Sequence, residues 1–133
     1  MNIKEPNTLL EILNIALEAG KEILKVYNQN IVVKSKEDNS PLTIADINSN
    51  NIIINKLKNV DSTTPILSEE KLVDWSIRKK WNKYWLIDPL DGTKEFINRN
   101  GEFTVNIALI EKNYPIFGVI YAPAKSLLYY AIK

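Results

Sequence analysis

The chain has 133 residues, 45% of them apolar, with 17 basic and 16 acidic side chains and a net charge of +1. That length suits one domain with a core of its own rather than two. It contains no cysteine and no histidine, which excludes disulfides, thiolate or imidazole zinc sites, haem ligation by those residues, and Cys–His or Ser–His–Asp catalysis; the near-neutral charge argues against a nucleic-acid polymer held by bulk electrostatics.

The polar start, Met1 to Pro6, leads into a predicted helix over 7–28. Thr8-Leu9-Leu10-Glu11 has the form of a capping box, and Leu9, Leu13, Ala16, Gly20, Ile23 and Tyr27 then recur at helical spacing. Asn28-Gln29-Asn30 ends it. Ile31-Val32-Val33 reads as a short strand and Lys34 to Pro41 as a polar loop. Thr43 or Asp46 is the candidate start of a second helix running to about Asn59, with Ile47, Ile54 and Leu57 as its apolar stripe and Ile53 beside them. After a turn at Asp61 to Pro65, Pro65-Ile66-Leu67 reads as a short buried strand that delivers Ser68-Glu69-Glu70 at its end.

Residues 71–83 are charged, carry Trp75 and Trp81, and read as a surface excursion. Tyr84-Trp85-Leu86-Ile87 is the next strand, running straight into Asp88-Pro89-Leu90-Asp91-Gly92-Thr93. Phe103 to Ile110, Ile116 to Tyr121 and Leu127 to Ile132 follow at the spacing of an antiparallel meander. The order predicts an α+β fold, an antiparallel sheet packed with two long helices. Trp75, Trp81 and Trp85 are read as packing residues. No apolar run approaches the ~20 residues needed to span a bilayer, so a soluble cytoplasmic protein is expected. Asn, Ile and Lys are heavily used, at 16, 19 and 15 residues, so a single Asn or Lys carries little information.

The chemistry rests on carboxylates at two strand ends, Glu69 and Glu70 after Leu67, and Asp88 and Asp91 after Ile87. Taken singly, Asp88 and Asp91 are turn and cap residues more often than ligands, Glu69-Glu70 is more often a solvated pair, and Asp46 and Thr43 are most simply helix caps. Taken together, acids leaving neighbouring strand ends converge and repel, and a hard divalent cation resolves the repulsion. Oxygen-only ligation suits Mg²⁺, Mn²⁺ or Ca²⁺; Mg²⁺ usually takes substrate phosphate oxygens as further ligands. Asp91-Gly92-Thr93-Lys94-Glu95-Phe96 reads as a turn into a helix whose first amides are free for an anion, with Thr93 adding a hydroxyl.

Trp85-Leu86-Ile87-Asp88-Pro89-Leu90-Asp91-Gly92-Thr93-Lys94-Glu95-Phe96-Ile97 resembles the first signature of the lithium-sensitive, magnesium-dependent phosphatase superfamily that includes the inositol monophosphatases. Leu90 and Lys94-Glu95-Phe96 are most similar to its CysQ branch, the 3'(2'),5'-bisphosphate nucleotidases. Leu67-Ser68-Glu69-Glu70, Ser40-Pro41-Leu42-Thr43-Ile44-Ala45-Asp46 and Gly118-Val119-Ile120-Tyr121-Ala122-Pro123 resemble the flanking motifs in order and spacing. The resemblance implies the N-terminal domain of the inositol monophosphatase-like fold. It implies Mg²⁺ ligation by the side chains of Glu69, Asp88 and Asp91 and the carbonyl of Leu90. Asp46 and Thr93 would hold the attacking water, with Asp46 accepting its proton, and the amides of Gly92 and Thr93 would bind phosphate; Glu70 would lie in an outer position. It implies two or three Mg²⁺ ions in the complete site, inhibition by Li⁺, and adenosine 3',5'-bisphosphate as the small phosphorylated nucleotide substrate, yielding AMP and phosphate in sulfur assimilation.

The resemblance breaks on length. Family members are about twice as long and carry a C-terminal α/β domain with a further metal-binding aspartate in a Trp-Asp motif. Here the three tryptophans precede Ser76, Asn82 and Leu86, and the sequence ends in the apolar strand Leu127 to Ile132. The expectation is that 1–133 is the metal- and phosphate-binding N-terminal domain without its C-terminal partner, pairing with that half or with a second copy. The alternatives are an inositol monophosphatase-like activity, disfavoured by Lys94-Glu95-Phe96, and a folded remnant without turnover.

Overall fold

The computed structural model describes residues 1–29 and 40–133. The expected strand Ile31 to Val33, and nearly all of the loop before Pro41, lie outside the described residues. Helix α1 spans Pro6–Tyr27. It starts ahead of the expected capping box: Glu5 is the N-cap and makes no side-chain cap hydrogen bond. Pro6 at the first turn, with φ already fixed and no N–H to satisfy, sets the start instead, and Thr8 falls inside the helix. The buried face is Ile12, Ile15, Ala16, Ala19, Gly20, Ile23 and Val26. Leu9, Leu13 and Tyr27 flank it, partly buried. The face is wide because α1 packs on a second helix and on the sheet at once.

Helix α2 spans Pro41–Val60. Its cap is Ser40, whose Oγ accepts from the Thr43 amide at 3.1 Å, so the helix begins before both Thr43 and Asp46. Its buried face is Leu42, Ala45, Asp46, Ser49, Ile53 and Leu57. Ile47, expected in the stripe, is 48% exposed. Two polar side chains on the buried face are what misdirected the periodicity. Among the described residues no helix is long and apolar enough to cross a membrane.

Five strands form one sheet in the order β1 (Ile66–Ser68), β2 (Lys83–Asp91), β3 (Thr104–Glu111), β4 (Tyr114–Ala122) and β5 (Leu127–Ile132). From β2 onward every pair is antiparallel, as expected of the meander. β1 is different: it pairs with β2 in parallel, with Leu67 against Leu86 and Ser68 against Ile87. A parallel neighbour needs a crossover of a dozen or more residues, which is the work of residues 69–82. That excursion holds one short helix, α3 (Trp75–Arg78). Its Trp75 is 64% exposed and is no packing residue, whereas Trp85 is fully buried.

Alternation along the strands divides the sheet. Trp85, Ile87, Val105, Ile107, Leu109, Phe117 and Val119 are buried on the face where α1 and α2 pack; Trp85 meets Phe117 edge-on, centroids 6.2 Å apart. The opposite face carries Leu86, Ala108, Gly118 and Ala131 in one row across four strands, and Asp88, Asn106, Ile120 and Tyr129 in the next.

Candidate metal- and phosphate-binding site

The parallel β1–β2 pair places two C-terminal strand ends side by side, and each delivers an acid. Glu69 follows Ser68, and its amide donates to the Ile87 carbonyl at 3.2 Å, which brings it next to Asp88. β1 is anchored from beneath: Ser68 Oγ donates to Asn50 Oδ1 of α2 at 2.6 Å, and the Glu70 amide donates to Ser68 Oγ at 3.2 Å.

The third acid reaches this end through a β-bulge. Asp88 pairs with Asn106 and Asp91 with Thr104, so three steps on β2 match two on β3. Residues three apart on a regular strand face opposite sides; the extra residue corrects the phase. Leu90 turns inward and is buried. The Asp91 side chain turns toward the Asp88 side, where its Oδ2 accepts from Asn106 Nδ2 at 3.1 Å. The bulge is held from α2 as well: Ser49 Oγ donates to the Pro89 carbonyl at 2.7 Å. Asp46 lies one turn earlier on the same helix face as Ser49 and is 1% exposed.

Gly92 follows with φ +89°, a conformation in which any Cβ would meet the Phe103 Cα at 3.2 Å. Glycine is required there on both counts. It caps helix α4 (Thr93–Asn98), which packs on α2. Three rings hold α4 in place. Tyr27 of α1 lies 5.3 Å from Phe96 and 4.8 Å from Phe103, and Phe96 lies 5.3 Å from Phe103. Arg99 closes the cluster, stacking 4.4 Å over Tyr27 and donating to its carbonyl at 2.8 Å.

The electrostatics centre on Asp88. Burial first, then a hydrogen bond with Glu69 and the negative charges of Glu69 and Asp91, push its carboxyl up to about 7; the Leu90 amide opposes the shift. Asp88 Oδ1 is buried without a hydrogen-bond partner. A buried carboxyl crowded by two further acids, with one of its oxygens orphaned, is a donor set that a hard cation would satisfy. The fit is incomplete: among the described residues no three acidic side chains are arranged to hold a metal ion. Glu69 is turned to Asp88 and Asp91 to Asn106.

The expected residues therefore fall as follows. Glu69, Asp88 and Asp91 share one end of the sheet, with the Leu90 backbone in the bulge between the latter two. Gly92 and Thr93 follow at the α4 start, and Asp46 lies on the face of α2 that supports the bulge. Glu70 is exposed. Sequence reasoning missed Ser49, Asn50 and Asn106. The signal for the first was a serine one turn after Asp46; the two asparagines were hidden in an Asn-rich composition.

An α+β domain with an acid-lined strand end running through a Gly-Thr turn defines a class, and the chain belongs to the inositol monophosphatase family, whose model matches residues 5–133. Among its relatives it is 50% identical over 125 residues to the 3'(2'),5'-bisphosphate nucleotidase CysQ of Escherichia coli strain K12, covering 92% of this chain and 51% of that protein. It is 51% identical over 123 residues to the nucleotidase CysQ of Buchnera aphidicola, covering 91% and 46%. The crystal structure of CysQ from Bacteroides thetaiotaomicron superposes with a TM-score of 0.89 at 45% identity, over 99% of this chain and 48% of that one. The suppressor protein SuhB of Bartonella henselae gives 0.76 at 27% identity, over 93% and 47%. The chain spans about half the length of the relatives it matches.

Proposed function

We propose that residues 1–133 form the metal- and phosphate-binding domain of a Mg²⁺-dependent phosphomonoesterase that converts adenosine 3',5'-bisphosphate to AMP and phosphate. The observation that carries the reading is Asp88: a carboxyl pushed up to about 7 by burial and by Glu69 and Asp91, with one buried oxygen unpartnered. The identity to the CysQ nucleotidases supports the substrate.

In this reading Glu69, Asp88, Asp91 and the Leu90 carbonyl hold Mg²⁺, two or three ions in the complete site. Bound there, Mg²⁺ supplies Lewis acidity for the phosphoryl group and the attacking water. Asp46 and Thr93 orient that water, and Asp46 takes its proton. The amides of Gly92 and Thr93 bind phosphate oxygens at the α4 start. Ser49, Asn50 and Asn106 position the acids. Glu70 serves from outside the ligand set. Inhibition by Li⁺, a cytoplasmic location and a place in sulfur metabolism belong to the same proposal.

The lack of a ready three-acid group among the described residues favours a second reading, a domain that binds metal and phosphate without turnover on its own. The edge strand β5, with Leu127, Tyr129 and Tyr130 exposed, supports pairing with a second copy or with polypeptide equivalent to the rest of the relatives' length. Phosphate release from adenosine 3',5'-bisphosphate with Mg²⁺ decides between the readings. Mg²⁺-dependent release that Li⁺ suppresses supports the enzyme, saturable binding without release supports the second reading, and neither binding nor release sinks both.

A further inference from the structure

Asp91 is exposed, so packing does not set its rotamer; a chain of two hydrogen bonds does. Thr104 Oγ1 donates to Asn106 Oδ1 at 3.1 Å, and Asn106 Nδ2 donates to Asp91 Oδ2 at 3.1 Å. The β-bulge builds this chain. In an unbroken register with Asp88 opposite Asn106, Asp91 would lie opposite Phe103; the extra residue sets it opposite Thr104 instead. Period two then puts Thr104 and Asn106 on one side of β3, both half-buried.

The chain has one direction. A carboxylate only accepts, so the Asn106 atom that faces Asp91 is the amide nitrogen. The amide oxygen is thereby turned to Thr104, whose hydroxyl donates. Valine at 104 would keep the shape and free the amide to flip, setting oxygen against oxygen at Asp91. Neutrality at 106 matters as well: an acid there would stand directly opposite Asp88 and add to the repulsion with Glu69 and Asp91.

The Asn106 hydrogen bond uses one oxygen of Asp91, and a cation needs only the other. Among the described residues no three acids stand ready as a cage, so the freedom left to Asp91 decides which cation completes one. Mg²⁺ demands near-ideal octahedral geometry, whereas Ca²⁺ accepts variable geometry at longer distances. We propose that Thr104 and Asn106 are positioning residues that hold Asp91 and so set the preference of the acid end for Mg²⁺ over Ca²⁺. This rests on the metal-dependent reading above and adds to it the residues that choose the ion.

The test is a calorimetric titration of the chain with Mg²⁺ and with Ca²⁺, at a pH above the Asp88 pKa, for wild type, Asn106→Ala, Thr104→Val and Thr104→Ser. Asn106→Ala is expected to lose about tenfold or more in Mg²⁺ affinity. Its Ca²⁺ affinity falls less, so the ratio of the two affinities drops by about threefold or more. Thr104→Val lowers the ratio in the same direction by a smaller factor, and Thr104→Ser, which keeps the hydroxyl, holds it at the wild-type value. An unchanged ratio in Asn106→Ala, including an equal loss for both ions, marks a merely structural role and overturns the assignment while leaving the metal-dependent reading intact. Thr104→Ser as impaired as Thr104→Val, or Thr104→Val equal to wild type, overturns the part given to the hydroxyl. Wild type binding neither ion overturns both readings.

Discussion

The two faces of the sheet are made by the same strands and do opposite work. On the covered face Trp85 and Ile87 of β2 stand with Val105, Ile107, Leu109, Phe117 and Val119 in a closed core beneath α1 and α2. On the open face the intervening residues are Leu86 and Asp88, with Ile120 52% and Tyr129 66% exposed. Period-two alternation hands every second residue to the core and the rest to the open face. The bulge at Pro89–Leu90 is where that rule is broken on purpose, returning Leu90 to the core and sending Asp91 to the acids. The difference teaches that the acid end tolerates its own repulsion because the covered face and the α2 hydrogen bonds hold it in place.

The largest expected effect lies at the acids. Asp88→Asn should weaken Mg²⁺ binding by at least roughly tenfold to a hundredfold, read by calorimetric titration, while raising the melting temperature of the metal-free protein at neutral pH by removing a buried charge beside Glu69. A variant that is destabilised without metal would break the contrast between a strained site and a relaxed core. Next comes the core: Trp85→Ala should cost about 3–5 kcal/mol in urea denaturation, a large share of the stability of a small domain.

A pH series sharpens the same contrast. The folded pKa of Asp88, about 7, lies above the ~3.9 of an unfolded aspartate. Between those values the metal-free native state binds more protons than the unfolded chain. The contribution is therefore full below about 4 and is lost as pH rises to about 7. Mg²⁺ requires the ionised carboxylate, so the rise in melting temperature on adding Mg²⁺ should be larger above pH 7 than near pH 5, with protons released on binding. A metal effect independent of pH would remove Asp88 from the ligand set.

Smaller effects follow. Ser49→Ala strips the Pro89 carbonyl of its donor and should cost about 1–2 kcal/mol, with Mg²⁺ affinity falling as the bulge loosens. Leu86→Ala, at the centre of the open face, should change stability by no more than about 1 kcal/mol. An open-face loss as large as that of Trp85→Ala would show that the two faces are energetically alike.

Most of the fold was legible because its signals are local. Runs of β-branched and aromatic residues gave β2 to β5, the Gly-Thr turn gave the start of α4, and the long signature gave the acids their place. What escaped depends on contacts far apart in the chain. The parallel pairing of β1 is a choice of partner, and nothing in Ile66-Leu67-Ser68 states its direction. The buried face of α2 contains the polar Asp46 and Ser49 in place of apolar residues, which is why Ile47 looked apolar enough to be inside and is not. Asn106 matters only because strand register sets it opposite Asp88, and a strand pairing cannot be counted from one segment.

The most direct test of the central claim, that the acids at the β1–β2 end form one Mg²⁺ site, is a Mg²⁺ titration of isotope-labelled protein followed by amide NMR at a pH above the Asp88 pKa, for wild type and Asp88→Asn. The account predicts saturable shifts confined to residues 68–70 and 88–93 that vanish in the variant. Shifts that do not saturate, or that persist unchanged in Asp88→Asn, would contradict it.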